Sequence, residues 1–455
     1  MNAGYLITGT HSGVGKTTVT LALMGLWTQQ GYQVQPFKIG PDFIDGSYHQ
    51  WVTGHASVNL DLWMMGWKGI QTSFQKYSKQ AQISLVEGMG AIFDGQNGTL
   101  KGSSAIIAKR LKIPIILVVD VWGMTKTTEA ILEGIRQFDP SILWAGVILN
   151  RVGSYKHYEM ILRSLNLFWR RKIWGYLIKT ADFEISERHL GLIMPKENVQ
   201  VDFKIRALLN STRQTLRLPK NGLALSRPSK KIPAYFSKMI RSKICLGVAR
   251  DAAFCFYYEA NLKMLEAAGA QLIFFSPLRD KKLPSSIDGL YLGGGYPENF
   301  LKELSSNDFL KKEIRACVMQ GMPVYAECGG LMYLSRTLIG QKGKAYSMVS
   351  ILPITIQMNP SHLVIRYVEV QTTQKTLLGS KGTIIRGHEF HQSEIISNAF
   401  LGKALYQGMT SMQQKFTEGF CFKNLVASYI HLHFQSNPMV PMNWVNQCLK
   451  FRQSF

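Results

Sequence analysis

Two α/β domains in series are the fold class this sequence predicts, and three observations predict it. Short apolar runs alternate with helix-length segments over the first 150 residues, as in a parallel sheet covered on both faces. That alternation gives way to a basic stretch with three prolines at 211–243, and a new strand–helix pattern starts at Ile244. The chain has 455 residues, enough for two domains of roughly 220 residues each. The composition, 46% hydrophobic and 18% charged, supplies a sizeable core and excludes wholesale disorder. The expected division is 1–210, a linker at 211–243, and 244–455.

In the first domain, residues 5–7, 83–86, 113–119 and 145–149 read as buried strands, and 17–30 reads as a helix. Between the first strand and that helix lies Gly9-Thr10-His11-Ser12-Gly13-Val14-Gly15-Lys16-Thr17-Thr18. A strand, a glycine-rich loop and a helix N-terminus form a phosphate cradle. Gly13 and Gly15 let backbone N–H groups converge on phosphate oxygens, Lys16 supplies a point charge, and the Thr17 hydroxyl can ligate Mg²⁺. The candidates for nucleotide contact are Thr10, Gly13, Val14, Gly15, Lys16, Thr17 and Thr18, joined by Asn150 at a later strand end, whose amide can face a nucleobase. The strict phosphate-loop pattern places its first glycine at the position of Thr10, so this is the longer GTxxxxGKT variant. That variant resembles the family that includes dethiobiotin synthetase and the amidotransferase ligases of corrin synthesis. The partitioning ATPases of similar fold carry a signature lysine where this chain has His11.

Two strand endings carry acids: Pro41-Asp42-Phe43-Ile44-Asp45 and Val86-Glu87-Gly88. Ligands bind at the carboxyl edge of parallel strands, and Mg²⁺ takes oxygen ligands beside phosphates. Thr17, Asp45 and Glu87 are therefore the metal candidates, with Asp42 behind them or facing substrate.

In the second domain, strands are expected at 244–248, 271–275, 288–292 and 323–326, a helix near 258–268, and antiparallel strands over 345–430. Pro323-Val324-Tyr325-Ala326-Glu327-Cys328-Gly329-Gly330-Leu331 reads as strand, sharp turn and helix, the elbow that presents a nucleophile. A helix N-terminus lowers a thiol's pKa, so Cys328 is expected as a thiolate. Oxyanion donors are expected from Gly329 and from the turn Leu292-Gly293-Gly294-Gly295-Tyr296, at Gly294. The base must reach the sulfur, and Ser428-Tyr429-Ile430-His431-Leu432-His433-Phe434 offers His431 and His433.

This half resembles a class I glutamine amidotransferase domain. That pattern makes His431 the catalytic base and would place a glutamate where the chain has His433. The departure is typical of the cobyrinate and cobyric acid synthase branch. The chain as a whole resembles the cobyrinic acid a,c-diamide synthase family, with matching strings at 41–45, 187–192, 293–298 and 386–391. The resemblance implies ATP-driven, glutamine-dependent amidation of two carboxylates on a corrin polycarboxylate, with Mg²⁺ and ATP as the cofactor and cosubstrate. Within the strings, Arg188, His388 and Glu389 become substrate-facing candidates alongside Asp42.

The formal charge is +23, and residues 151–243 carry +14 of it. A charge of that size invites a nucleic-acid or membrane-surface reading. The nucleotide-loop region, 1–150, carries only +2, so no nucleic-acid partner is expected. The competing readings are the same chemistry on nickel-sirohydrochlorin, a phosphate-loop switch that binds DNA or membrane, and a ligase with a degenerate glutaminase half that uses free ammonia. The six cysteines are irregularly spaced, no apolar run is long enough to span a bilayer, and the N-terminus lacks a leader pattern. A cytoplasmic protein without a membrane partner is expected, and a homodimer is compatible with this.

Overall fold

The computed structural model describes residues 3–180, 187–188, 191–192, 201–219 and 243–454. It divides into two compact units, Met1–Leu62 with Trp67–Pro233, and Trp63–Gly66 with Ala234–Phe455.

In the first unit the strands are β1 (Ala3–Gly9), β2 (Val34–Ile39), β3 (Val58–Leu60), β4 (Ile83–Ala91), β5 (Ile115–Asp120), β6 (Trp144–Val152) and β7 (Ile173–Ile178). They form one sheet in the order β3-β2-β4-β1-β5-β6-β7, and every pairing in it is parallel. All residues of β1 and β2 are buried, because helices cover both faces and leave no solvated side to alternate against. Helix α1 (Lys16–Gln29) follows β1, and α2 (Ile44–Thr53) follows β2. β1 lies between β4 and β5, and Glu87 of β4 is in register with both Ile7 and Lys38. The phosphate loop, the end of β2 and the end of β4 therefore meet at one carboxyl edge.

The short β3 and the outer β7 carry no strong sequence signal. The helix Val201–Thr215 runs past residue 211, where the sequence reads as linker. Its buried residues Ile205, Leu208, Leu209 and Thr212 repeat at helical spacing, which the basic residues between them obscure. Most of the remaining linker, 220–242, lies outside the described residues.

The second unit has a six-stranded sheet. Strands β10 (Ile244–Ala249), β11 (Ala270–Phe275), β12 (Gly289–Leu292) and β13 (Val324–Glu327) are joined by Leu425–Ser428 and Phe420–Phe422, in the order β11-β10-β12-β13 and then those two. (The two-residue strands Glu187–Arg188 and Gly191–Leu192 of the first unit are β8 and β9.) The first five are parallel, and the last closes an antiparallel hairpin. The residues from 345 onward add mainly antiparallel ladders, including Val364–Thr372 against Ile384–His391. His388 of that ladder pairs with His431. β13 sits mid-sheet, so Cys328 at its end emerges beside Ser428, whose carbonyl accepts the Cys328 N–H at 2.7 Å.

Candidate active site

Two groups of side chains stand at the carboxyl edges of the two sheets. The first surrounds the loop between β1 and α1. Gly13 and Gly15 have φ of 79° and 90°, a left-handed backbone that glycine adopts without strain. A Cβ on Gly15 would also collide with the amide of Asn150. That amide donates to Val14 O at 2.8 Å, so Asn150 braces the loop itself. Thr10 contacts His11 Nδ1 at 3.0 Å, and Thr18 is half-buried on the first turn of α1. Lys16 folds back toward His11 O at 3.4 Å. Its ammonium is held below the usual lysine range by burial and by neighbouring Lys38.

The predicted metal candidates come together. Thr17 Oγ1 donates to Glu87 Oε1 at 2.8 Å. Asp45 and Glu87 share a cation that sequence reasoning did not single out: Lys38 Nζ lies 2.5 Å from Asp45 and 3.0 Å from Glu87. His49 adds a contact to Glu87 at 2.7 Å. Burial would lower the Lys38 pKa, but Asp45 and Glu87 outweigh it and hold it raised. Burial likewise acts to raise Glu87, and Lys38 with His49 hold it low. Asp45 is pushed well up by burial and by Glu87, against the pull of Lys38. Two buried carboxylates facing one ammonium do not ionise equally, and Glu87 holds its charge to lower pH than Asp45. The donors are hard oxygens, which suit Mg²⁺. Among the described residues, no group of three or more His, Cys, Asp or Glu is placed to hold a metal ion. One signal could have exposed His49: it lies four residues after Asp45, on the same face of α2.

Asp42 Oδ1 accepts from the N–H groups of Ile44 and Asp45, at 2.7 and 3.0 Å. It caps α2 and so orients Asp45. Arg188 lies in β8, paired with β9, and its side chain is outside the described residues.

The second group surrounds Cys328, whose φ is 46° and ψ −102°. A non-glycine residue there costs on the order of 1–3 kcal/mol, as expected of a strained elbow. A Cβ on Gly330 would run into the Leu292 backbone, so the turn after β13 closes against the end of β12. Gly329 packs on Pro297 and Gly295 N. A Cβ on Gly294 would collide with the His431 ring. The structure thus brings His431 against the glycine turn, at the same sheet edge as Cys328.

The surroundings of the thiol oppose the expected thiolate. Burial, then Glu298 and more weakly Glu327 and Glu389, push the Cys328 pKa up, against the Gly329 N–H. The helix after the elbow, Gly329–Leu334, is only six residues long, too weak a dipole to overcome that burial and those acids. His433 is fully buried, and burial holds its pKa at about 3. Its ring packs on Tyr258 at 4.7 Å. His388 stacks on His431 at 4.9 Å and meets the Tyr258 hydroxyl at 2.8 Å. Glu389 is held by Arg366 at 2.5 Å and His391 at 3.3 Å. His388 and Glu389 are buried within the second unit. Sequence reasoning also passed over Glu327, an acid between an apolar strand and the elbow cysteine.

Among the described residues, no helix is long and apolar enough to cross a membrane. Residues 5–193 match the model of a CobQ/CobB/MinD/ParA nucleotide binding domain. Residues 245–439 match that of a CobB/CobQ-like glutamine amidotransferase domain. The chain is 40% identical to a cobyrinate a,c-diamide synthase of Caldanaerobacter subterraneus subsp. tengcongensis, over 98% of each protein. It is 38% identical to that of Priestia megaterium, over 98% of this chain and 97% of the relative. The synthase of Listeria innocua is 40% identical over 96% of this chain and 97% of its own length. These full-length matches favour the ligase over the DNA- or membrane-binding switch, and the chain belongs to the cobyrinate a,c-diamide synthase family.

Proposed function

We propose that the chain amidates the a and c carboxylates of cobyrinic acid, using ATP and glutamine, in cobalamin synthesis. A carboxylate is a poor electrophile. Transfer of the ATP γ-phosphoryl group converts it to an acyl phosphate, with phosphate as the later leaving group. In the first unit the loop amides between Gly13 and Thr18 and the Lys16 ammonium bind and orient the triphosphate. Thr17, Asp45 and Glu87 would hold Mg²⁺, which when bound neutralises phosphate charge. Lys38 and His49 fix the direction of Glu87.

In the second unit the Cys328 thiol passes its proton to His431 as sulfur attacks the glutamine side-chain carbonyl. The C–N bond breaks, the proton leaves with ammonia, and water hydrolyses the thioester to glutamate. The N–H of Gly329 and the Gly294 turn receive the oxyanion. Burial and the nearby acids raise the Cys328 pKa, which supports a proton transfer coupled to attack. Ammonia then displaces phosphate from the acyl phosphate. The relatives' names favour cobyrinate over nickel-sirohydrochlorin as acceptor. Six free cysteines fit a reducing, cytoplasmic setting.

The observation that carries this reading is the strained elbow at Cys328, beside a glycine turn closed by His431, on a chain that also bears a phosphate loop. The test is amidation of cobyrinic acid with Mg²⁺-ATP and either glutamine or ammonium. Cys328→Ala should lose the glutamine-dependent reaction and keep the ammonia-dependent one, whereas Asp45→Asn should lose both. Equal glutamine use by Cys328→Ala and wild type would remove Cys328 from the chemistry.

A further inference from the structure

An imidazole that accepts a proton needs an anchor, and the residue two positions after His431 is a histidine held neutral, not an acid. Deepening the reading of Cys328 and His431 given above, on which it rests, we propose that Glu327 is the positioning carboxylate for His431. It holds Nδ1, leaves Nε2 for the thiol, and stabilises the imidazolium formed when the S–H bond breaks and the N–H bond forms.

Glu327 Oε2 lies 3.8 Å from His431 Nδ1, with both side chains buried. Catalytic hydrogen bonds are often long without substrate and tighten in the complex, and a ring shift of about 1 Å makes this one. The carboxyl group is itself fixed from three sides. Tyr325 OH donates to Oε1 at 2.5 Å, the Leu432 N–H donates to Oε1 at 3.1 Å, and Tyr291 OH donates to Oε2 at 3.1 Å. The two tyrosine rings pack edge-on against buried Trp444, at 5.4 and 5.2 Å, so the cradle is rigid. Two other acids of this unit are committed elsewhere. Glu389 is taken by Arg366 and His391. Glu418 accepts from Ser428 Oγ and the Tyr429 N–H.

The test uses the full chain and Glu327→Gln, which keeps the size and an acceptor oxygen but removes the charge. Glutamine-dependent kcat should fall at least about 100-fold with little change in glutamine KM, while ammonia-dependent amidation stays within about twofold of wild type. The acid limb of the glutaminase pH profile should move down by about one unit, because the imidazole loses its anionic neighbour. A merely structural residue would leave that limb in place. Wild-type kinetics and an unmoved limb in Glu327→Gln overturn the proposal. If Glu327→Gln misfolds, Tyr291→Phe decides. Removing a donor from Oε2 leaves the carboxylate more basic, so the limb should move up, and an unmoved limb overturns the proposal. Cys328→Ala separates the two failures. Retained glutamine use there refutes the underlying reading. Lost glutamine use beside a wild-type-like Glu327→Gln refutes only the role of Glu327.

Discussion

Replacing Lys38 by methionine should destabilise the first unit far more than an ordinary surface change. Lys38 is 4% exposed, and its ammonium lies 2.5 Å from Asp45 and 3.0 Å from Glu87. Methionine keeps most of its length without the charge and leaves two buried carboxylates facing each other. Removing one partner of a buried pair costs about 3–5 kcal/mol, which corresponds to roughly a 6–20 °C fall in Tm for a unit of this size. The loss should persist at high salt, because buried charges are poorly screened. It should shrink as pH falls, because Asp45, already pushed up by burial, takes a proton. Adding Asp45→Asn should recover about 1–3 kcal/mol, since the two sites are in contact. Calorimetry of the three variants at two pH values and two salt concentrations is the assay. A Lys38→Met variant that melts within about 2 °C of wild type, or whose loss disappears with salt, refutes the reasoning.

Gly294→Ala should displace the His431 ring and cut glutamine-dependent amidation about 100-fold, with ammonia-dependent amidation kept; steady-state assays with each nitrogen source check this. Burial pushes the Glu418 carboxyl up to about 7, so the folded state binds its proton more tightly than the unfolded chain. This group's stabilising contribution is therefore full below about pH 4.5 and is lost as pH rises to about 7, with a ceiling of about 3 kcal/mol. Glu418→Gln should match wild type in Tm near pH 5 and exceed it near pH 8; equal differences at both pH values would contradict this.

The features legible in the sequence were local ones. The phosphate loop, the elbow at Cys328 and the glycine turn at 293–295 each compress their geometry into a few adjacent residues, where backbone sterics dictate residue type. The acids after β2 and β4 were legible because a polar residue ending an apolar strand stands out. What the sequence concealed depends on the order of strands. Lys38 meets Glu87 only because β2 lies beside β4, and Glu327 faces His431 only because β13 lies beside Leu425–Ser428. The expected thiolate is opposed for a related reason. The helix N-terminus is local and visible, whereas the burial and the acids that outweigh it are assembled by tertiary packing. The helix through Thr215 was masked by charged residues on its solvent face.

The burial of Cys328 also affects how the protein endures its surroundings. Peroxides and alkylating agents attack thiolates, at rates that follow the ionised fraction. A buried sulfur whose surroundings oppose ionisation is shielded from such reagents between turnovers.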